Sequence, residues 1–296
     1  MQDLSIIIAN HNSKEYLDRC LSSVVKTASD ISHEIILVDN ASSDGSVKLV
    51  REKYPQVKVI ENGENLGFSK ASNKGIRSAA GKYIMLLNND VLIKERALKK
   101  LVDFLRENSD AGAVGPKLLN IDGTIQHQCR RDFPTPMNAF FYFSGLGRLF
   151  PKNKSLNAYL RTYLDDEVVG AVDSLCGASM VVRKEAIKKI GLLDEDYFMY
   201  GEDLDWCYRI KKAGWKIYYQ PQAEIVHYGG RTSRQNSYKN IYEFHKAMRL
   251  FYRKHYAGRR PRLVNWGVYL GIWLKYLVDL AKNFLRREKT VGSKKP

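Results

Sequence analysis

The feature of this sequence that most constrains its fold is a regular alternation of apolar runs and helical segments over the first hundred residues. "LSIIIAN", "HEIILVDN", "VKVIEN" and "KYIMLLNND" are of strand length, and most of them are rich in β-branched residues. Between the first two, Leu17, Cys20, Leu21, Val24 and Val25 recur at helical spacing. Strands and helices that alternate in this way predict an α/β fold with a mainly parallel sheet, helices on both of its faces and right-handed crossovers.

The rest of the chain carries further predicted elements. "GFSKASNKGIRSAAG" predicts a helix that begins at about Ser69 and is ended by Gly81, and "ERALKKLVDFLREN" predicts an amphipathic helix. The aromatic stretch "RDFPTPMNAFFYFSGLGRLFPKN" has no clean period, and we expect a long loop or flap there. Strand character returns in "VDSLCGASMVV", which is followed by an acidic turn, a helix and a strand that ends at His227.

Composition and cysteine usage indicate a folded protein of a reducing compartment. The chain has 296 residues, of which 44% are hydrophobic and 27% charged, which is ordinary for a folded soluble protein. The cysteines show no C-x-x-C spacing, so neither a zinc site nor a disulfide framework is predicted; they are Cys20, Cys129, Cys176 and Cys207. The N-terminus enters a strand within a few residues and lacks the pattern of a signal peptide, so we expect a cytoplasmic location.

The net charge of +16 is concentrated at the C-terminus. Residues 231–296 contain 17 Lys and Arg against three acids, a local charge of +14 that leaves +2 for everything before. The sequence therefore predicts two parts, an α/β domain over residues 1–230 and a basic helical segment over residues 231–296.

The turn "VDNASSDGS" admits more than one interpretation. An EF-hand is excluded, because a loop starting at Asn40 has Arg51 where the bidentate carboxylate belongs and follows a strand instead of a helix. In an open α/β sheet, Asp39 at a strand's carboxyl end lies where ligands bind. The alternative is that Asp39 and Asp44 only stabilise the turn and cap the next helix. Since no G-x-G-x-x-G or P-loop motif is present, dinucleotide and P-loop enzymes are disfavoured.

Six motifs in order carry a resemblance to a known family. They are "SIIIANHN", "VDNASSDGS", "ENLGFSKASNKGI", "LLNND", "CGASMVVRKEA" and "FMYGEDLDWCYRIKKAGWKI". Together they resemble a family 2 glycosyltransferase with the GT-A fold, and within that family a bacterial rhamnosyltransferase-like branch. The resemblance covers Leu4 to about Gly230. It implies an inverting enzyme that moves a sugar from dTDP-rhamnose or a UDP-sugar to a glycan or lipid-linked acceptor in cell-surface polysaccharide synthesis.

The resemblance also implies where the nucleotide sugar binds. Asp39 would accept a hydrogen bond from the pyrimidine, and the segment that contains Gly67 would pass beneath the nucleotide and sugar. The full set of implied nucleotide-sugar-binding residues is Ala9, His11, Asp39, Asn65, Gly67 and Asn89. The alternative for the segment around Gly67 is a simple helix-entry turn.

A metal site is implied by "LLNND", the counterpart of the family's D-x-D motif. Asp90 matches its final carboxylate, whereas Asn88 stands in place of its first acid, so Mg²⁺ or Mn²⁺ is expected to bind weakly without the donor. His227 matches a family position that can complete the site. The alternatives are a strand-end cap for Asp90 and a purely structural histidine.

The catalytic acids are implied by "YGEDLDWCYR". Asp203 is the expected general base, which would take the proton of the acceptor hydroxyl, and Glu202 and Asp205 are its nearest rivals. Acids at a helix N-terminus are favoured by the helix dipole in any protein, so a capping role is the alternative for all three.

The C-terminal segment lies mostly outside the resemblance. Its long apolar helix has one narrow polar stripe, formed by Gly267, Gly271, Lys275, Asp279, Lys282 and Arg286. With flanking cations, such a helix is expected to lie in the interface of an anionic membrane. The alternatives are docking on the catalytic domain or on a homodimer partner. Two other functions stay open: nucleic-acid binding through the basic, aromatic segment, and a catalytically inactive scaffold that binds the donor.

Overall fold

A large twisted sheet organises the computed structural model, which describes residues 2–229 and 237–285. The strands of this nine-stranded sheet are β1 (Leu4–Asn10), β2 (His33–Asp39), β3 (Lys58–Glu61), β4 (Tyr83–Asn88), β5 (Val91–Ile93), β6 (Ala111–Leu119), β8 (Gly170–Val172), β10 (Ser179–Arg183) and β11 (Lys216–His227). A separate two-stranded ribbon pairs β7 (Arg130–Arg131) with β9 (Ser174–Leu175).

The strand order of the large sheet is β3-β2-β1-β4-β10-β6-β11-β5, with β8 also paired to β11. Parallel pairing joins β3, β2, β1 and β4, and again β6 and β11, whereas β10, β5 and β8 pair with antiparallel neighbours. Six strands therefore share one direction, which confirms the predicted mainly parallel sheet. β1 is buried along nearly its whole length, as expected for a continuous apolar run between two helical layers.

Helices cover the sheet and then extend beyond it. They are α1 (Lys14–Thr27), α2 (Ser46–Lys53), α3 (Gly67–Arg77), α4 (Ala97–Glu107), α5 (Pro136–Ser144), α6 (Leu146–Leu149), α7 (Lys184–Ile190), α8 (Glu202–Lys212), α9 (Ser237–His255) and α10 (Arg262–Leu285). The predicted apolar stripe of α1 is buried against the sheet, with Val25 at its exposed margin. α3 begins and ends earlier than predicted, because the chain turns at Ser78 and bends at Gly81.

The prediction of a long loop over residues 131–153 is wrong, since α5 and α6 lie there. The signals for α5 are local: Thr135 caps it by accepting a hydrogen bond from the backbone of Asn138 at 3.2 Å, and Pro136 occupies its first turn. Gly145, with φ of 76°, ends it. The helical period of α5 could not be recognised in the sequence, because nearly every side chain of this helix is apolar. Many of these side chains are exposed.

The predicted boundary at residue 230 does not separate two independent structures. α9 packs onto the α/β domain, where Ala247 and Leu250 form a small core with Tyr197. At its end, His255 lies 2.7 Å from a carboxylate oxygen of Asp205 on α8. The described part of the basic segment is therefore joined to the α/β domain by buried contacts.

Candidate active site

A cleft of about 1160 Å³ lies at the edge of the sheet where β1, β2 and β4 end. This is the position that an open α/β sheet offers to ligands, because the polypeptide leaves successive strands there in different directions. Nearly all of the predicted site residues line the cleft, namely Ala9, His11, Asn65, Gly67, Asn89, Asp90, Glu202, Asp203 and His227. Asp39 and Asp205 do not.

Asp39 lies just behind the cleft wall, with 2% of its surface exposed. Its Oδ1 accepts hydrogen bonds from the Asn10 amide at 2.9 Å and the Ser42 hydroxyl at 2.6 Å, while Oδ2 accepts from the Ser42 backbone at 2.8 Å. Because a carboxylate accepts about four hydrogen bonds, these contacts leave about one position on Oδ2. Asp39 thus organises its own turn, and the next residue, Asn40, faces the cleft.

The structure explains why position 67 is a glycine, which the sequence did not reveal. Its φ is 81°, and a Cβ there would stand 2.4 Å from the backbone oxygen of Phe198. That oxygen accepts a hydrogen bond from the backbone of Phe68 at 2.7 Å, and Asn65 accepts one from the backbone of Gly67 at 3.0 Å. The close approach permitted by Gly67 therefore brings the loop before α8 onto the start of α3, which places the acids of α8 at the cleft.

Asp90 and His227 face each other across the pairing of β5 with β11. His227 Nε2 lies 3.3 Å from Asp90 Oδ1, and the Asn88 amide also lies 3.3 Å from that nitrogen. Asp90 is 5% exposed. A carboxylate oxygen and a ring nitrogen are donor types that divalent cations such as Mn²⁺ accept as ligands.

Gln126 determines which nitrogen of His227 is available. Its amide nitrogen donates to the His227 backbone oxygen at 2.8 Å and to Asn120 Oδ1 at 2.9 Å, so its Oε1 faces His227 Nδ1, at 2.9 Å. Nδ1 therefore carries a proton that it donates to Gln126, and Nε2 is the ring nitrogen that lies toward Asp90 and Asn88. Sequence reasoning missed Gln126, since no motif marks a residue that acts through a histidine.

The donor set fits a hard divalent cation that is shared with a bound diphosphate. One carboxylate and one imidazole are too few to hold Mg²⁺ or Mn²⁺ alone, but these ions commonly combine one or two protein ligands with substrate phosphates and water. Over the described ranges, no group of three or more His, Cys, Asp or Glu side chains comes together as a closed metal site. Asp90 and His227 are the residues that would hold the ion, with Asn88 beside them.

Asp203 forms a buried ion pair with Arg131. The Arg131 Nη2 donates to Asp203 Oδ2 at 2.7 Å and to the Leu175 backbone oxygen at 2.6 Å, and the two side chains of the ion pair are each 11% exposed. Burial opposes the charge of Arg131, yet the Asp203 carboxylate outweighs it and holds the Arg131 pKa well above its ordinary value. The pairing of β7 with β9 positions Arg131, and the Gly177 backbone also donates to Asp203 Oδ2, at 3.0 Å.

Glu202 shares the first turn of α8 but has a different electrostatic environment. Burial and then the negative charge of Asp203 raise the Glu202 pKa well above its ordinary value. Its Oε2 is buried and has no hydrogen-bond partner among the described residues. The two neighbouring cleft acids therefore have different environments: Asp203 is paired with Arg131, whereas burial and the charge of Asp203 raise the Glu202 pKa.

Asp205 faces away from the cleft and joins α8 to neighbouring parts of the fold. It accepts hydrogen bonds from Arg209 Nε at 2.8 Å and from His255 Nε2 at 2.7 Å. Burial opposes ionisation of Asp205, but these partners outweigh it and hold its pKa below the ordinary value. The cleft acids of α8 are thus narrowed to Asp203 and Glu202, because the helix turns Asp205 to the opposite side.

Residues 5–191, more than half of the chain, match the family described as "Glycosyl transferase family 2". The chain belongs to this family. The matched residues include the predicted nucleotide-sugar residues and Asp90, whereas Glu202, Asp203 and His227 follow the matched segment.

Relatives of this glycosyltransferase extend the similarity over most of the chain. It is 28% identical over 266 residues to N-acetylglucosaminyl-diphospho-decaprenol L-rhamnosyltransferase of Mycobacterium tuberculosis (strain H37Rv), covering 86% of this chain and 85% of the relative. It is 26% identical over 236 residues to rhamnosyltransferase WbbL of Escherichia coli (strain K12), covering 77% of this chain and 84% of the relative. These relatives confirm the predicted resemblance to rhamnosyltransferases.

Solved structures confirm the GT-A fold of the glycosyltransferase. S. aureus TarS 1-349 superposes with a TM-score of 0.58 at 16% identity, covering 98% of this chain and 76% of that chain. GalNAc-T7, crystallised with UDP, GalNAc and Mn²⁺, superposes with a TM-score of 0.57 at 19% identity, covering 77% of this chain and 44% of that chain.

The two C-terminal helices of the glycosyltransferase complete the cleft. Lys239, Phe244 and Met248 of α9 line it, and so do Gly267 and Gly271 of α10. Sequence reasoning placed this segment outside the catalytic domain, since its basic composition differs from that of the preceding residues. Only the packing of α9 against the loop before α8 brings it to the site.

The orientation of α10 reverses the usual arrangement of an amphipathic helix. Its polar atoms face the protein: Asn265 accepts from the Tyr252 hydroxyl at 2.7 Å, and Asp279 lies 3.3 Å from His245 Nε2 and accepts from Lys275 at 2.6 Å. Its large apolar side chains face outward, namely Leu263, Trp266, Leu270, Trp273, Leu274, Leu277, Val278, Phe284 and Leu285. Within the described ranges, neither α10 nor another helix has the length and apolarity to cross a membrane.

Proposed function

We propose that this glycosyltransferase transfers a sugar, with inversion, from a nucleotide-diphosphate sugar to a hydroxyl of a lipid-linked glycan acceptor in cell-surface polysaccharide synthesis. dTDP-rhamnose is the preferred donor candidate, and a UDP-sugar is the alternative. The observation that carries this proposal is one cleft that contains a carboxylate paired with Arg131, Asp203, and apart from it the facing side chains of Asp90 and His227. The acceptor class rests on the named Mycobacterium tuberculosis relative, whose substrate is linked to decaprenol.

In the proposed reaction, Asp203 is the general base. It takes the proton of the acceptor hydroxyl as that oxygen bonds to the anomeric carbon, and the bond from this carbon to the diphosphate oxygen breaks on the opposite face. Arg131 pairs with Asp203 and orients it, and Glu202, whose raised pKa favours its protonated form, would donate a hydrogen bond to the acceptor. A Mg²⁺ or Mn²⁺ ion held by Asp90 and His227 would supply positive charge to the leaving diphosphate.

For the nucleotide, the proposal assigns the base to the turn between β1 and β2. Asn40 and His11 line the cleft, and His11 Nδ1 is bonded to the Asn40 backbone oxygen at 2.7 Å. Asp39 lies behind them and holds Asn10 and Ser42 in place. Removing Asp39 would therefore weaken nucleotide binding by releasing Asn10 and Ser42.

The test is the melting temperature of the purified protein against dTDP, UDP and their sugars, with and without Mn²⁺. A ligand that binds only the folded state raises the melting temperature. A metal-dependent rise for one nucleotide, followed by transfer with inverted anomeric configuration by NMR, supports the proposal. Loss of transfer in Asp203→Asn with retained donor binding supports the role of the base. No stabilisation by any of these nucleotides in the presence of metal would contradict the nucleotide-sugar site.

A membrane interface is the proposed location of α10. The outward face carries two tryptophans, Trp266 and Trp273, and several aliphatic residues, and the sequence that follows supplies Arg286, Arg287, Lys289, Lys294 and Lys295. An apolar face next to clustered cations is suited to a surface of anionic lipids. Sedimentation with vesicles should therefore depend on anionic lipid and on salt. If the protein instead forms a dimer that Trp273→Ser dissociates and leaves vesicles unbound, α10 is a protein interface.

A further inference from the structure

The cleft has a second part that the transfer of the sugar does not by itself explain. Beyond the catalytic acids it continues between α5, α9 and α10, and we call this part the apolar arm. Its lining residues are Ala139, Phe140, Phe143, Phe244, Met248, Phe251, Val264, Val268 and Ile272, together with Gly267, Gly271 and Lys275.

A chain of contacts joins the apolar arm to the catalytic turn. The ring of Tyr200, two residues before Glu202, lies 5.9 Å from the ring of Phe244 on α9. The Lys275 ammonium of α10 lies 6.0 Å from the Phe244 ring and 4.6 Å from the Phe143 ring of α5. The arm is therefore continuous with the place where an acceptor hydroxyl meets Asp203.

The apolar arm has few groups for binding a sugar. Of the described residues that line the cleft, the carboxylates are Asp90, Glu202 and Asp203, and all of them lie at the sheet edge. Lys275, the cation within the arm, already donates to Asp279 at 2.6 Å. Sugar hydroxyls transferred into such surroundings would lose hydrogen bonds to water without replacement, which is unfavourable.

The rim of the apolar arm is exposed and meets the outward face of α10. Phe140 is 60% exposed and Val264 is 41% exposed although both line the cleft, and Leu263 and Trp266 beside them are 82% and 68% exposed. An apolar surface of this kind is unfavourable in water and marks a contact with lipid or protein. Because the arm connects that surface with Asp203, its occupant must be polar at one end and apolar along its length.

We infer that the apolar arm binds the lipid chain of the acceptor. The sugar lies at Asp203, the first part of a polyprenyl chain lies between α5 and α10, and the remainder passes over the rim into the bilayer against α10. This inference rests on the proposed function and deepens it, since it assigns a site for the apolar part of the acceptor.

Two glycines of α10 allow a direct steric test. Gly267 and Gly271 lie one turn apart on the wall of the arm, and a Cβ at either one would meet no atom within 4 Å. Gly271→Leu therefore fills the arm without disturbing the packing of the protein, and leucine is a better helix former than glycine. Ala281→Leu is the matched control, because it adds bulk to α10 at an exposed position outside the cleft.

The experiment measures lipid binding and sugar transfer separately. Binding of a polyprenyl phosphate in mild detergent is followed by intrinsic tryptophan fluorescence for the wild type and both variants. Transfer is measured with a glycosyl-diphosphate acceptor on a polyprenyl chain and with the same head group on a butyl chain. We expect Gly271→Leu to weaken polyprenyl phosphate binding and to raise KM for the polyprenyl acceptor by about tenfold or more. It should leave the butyl acceptor and donor hydrolysis unchanged, and Ala281→Leu should behave as the wild type.

The outcomes separate this inference from the proposed function. Equal effects of Gly271→Leu on both acceptors, or no effect on either, would overturn the inference while sugar transfer stands. Polyprenyl phosphate binding that is sensitive to Gly271→Leu, without transfer from any dTDP or UDP sugar, would support the lipid site and contradict the proposed function. Failure of the wild type to bind polyprenyl phosphate would overturn the inference whatever the result for transfer.

Discussion

Replacing Arg131 by methionine tests how strongly the stability of the fold depends on the buried ion pair between Arg131 and Asp203. Both side chains are 11% exposed, and Arg131 Nη2 lies 2.7 Å from Asp203 Oδ2. Methionine fills most of the volume but leaves a buried carboxylate without its counter-charge. Removal of one partner of such a pair costs about 3–5 kcal/mol. For a chain of this size that corresponds to a fall in melting temperature of about 6–20 °C.

The fall should depend on pH in a defined direction. With Arg131 absent, the folded state of the variant binds a proton at Asp203 more readily than the unfolded chain does. The penalty is therefore largest at neutral and alkaline pH and shrinks as the pH falls and Asp203 becomes protonated. Calorimetry of wild type and Arg131→Met between pH 5 and pH 8 measures this difference.

A double-mutant cycle supplies the decisive control. In an Asp203→Asn background no carboxylate is left to bury, so Arg131→Met should cost much less than it does in the wild type. Sugar transfer should be lost in every member of the cycle that lacks Asp203. An Arg131→Met penalty that is the same at pH 5 and pH 8, or the same in both backgrounds, would refute the electrostatic account of this pair.

Three further predictions concern the neighbouring residues. Because the folded-state pKa of Glu202 is raised from 4.5 to about 8, ionisation of Glu202 destabilises the fold increasingly between these two pH values. Glu202→Gln should therefore melt higher than wild type by a margin that widens over this pH range; a margin that narrows with rising pH would contradict the raised Glu202 pKa. Gln126→Ala should weaken Mn²⁺ binding in the presence of nucleotide diphosphate by about tenfold or more, measured by calorimetry, because His227 Nδ1 loses its acceptor; an unchanged Mn²⁺ affinity would show that Gln126 does not position His227. Asp205→Asn should lower the melting temperature, since hydrogen bonds to a charged group contribute about 1.5–3 kcal/mol each, but leave kcat unchanged below that temperature; a large loss of kcat would return Asp205 to the catalytic candidates.

Much of the fold was predictable because its signals are local. Buried strands such as β1 and amphipathic helices such as α1 and α4 carry their period in consecutive residues. The prediction failed for α5 because its apolar residues face an open cleft and the solvent. No polar face therefore defines a helical period in this segment. Its cap, Thr135, its first-turn proline and its terminal Gly145 were the better signals.

The sequence predicted those residues of the candidate site that belong to a short motif and lie in the cleft themselves. Asp90, Glu202 and Asp203 follow from short motifs, and all three line the cleft. Arg131 and Gln126 were not found, because each acts on a partner 72 or 101 residues away and nothing in its own neighbourhood marks that contact. Asp39 was found, yet only the structure places its carboxylate behind the cleft wall.

The amino-acid sequence by itself determined the α/β class, the strand ends at which ligands bind, and the set of acids from which the site is built. These properties depend on periodicity and on residue chemistry, which are local. Tertiary structure alone decided that Asp203 pairs with Arg131, that the Glu202 pKa is raised and that Asp205 faces away. It also decided that Lys275 and Asp279 of α10 face the side chains of α5 and α9. The reason is that charge state and exposure depend on which distant groups pack together, and a linear pattern does not specify those neighbours.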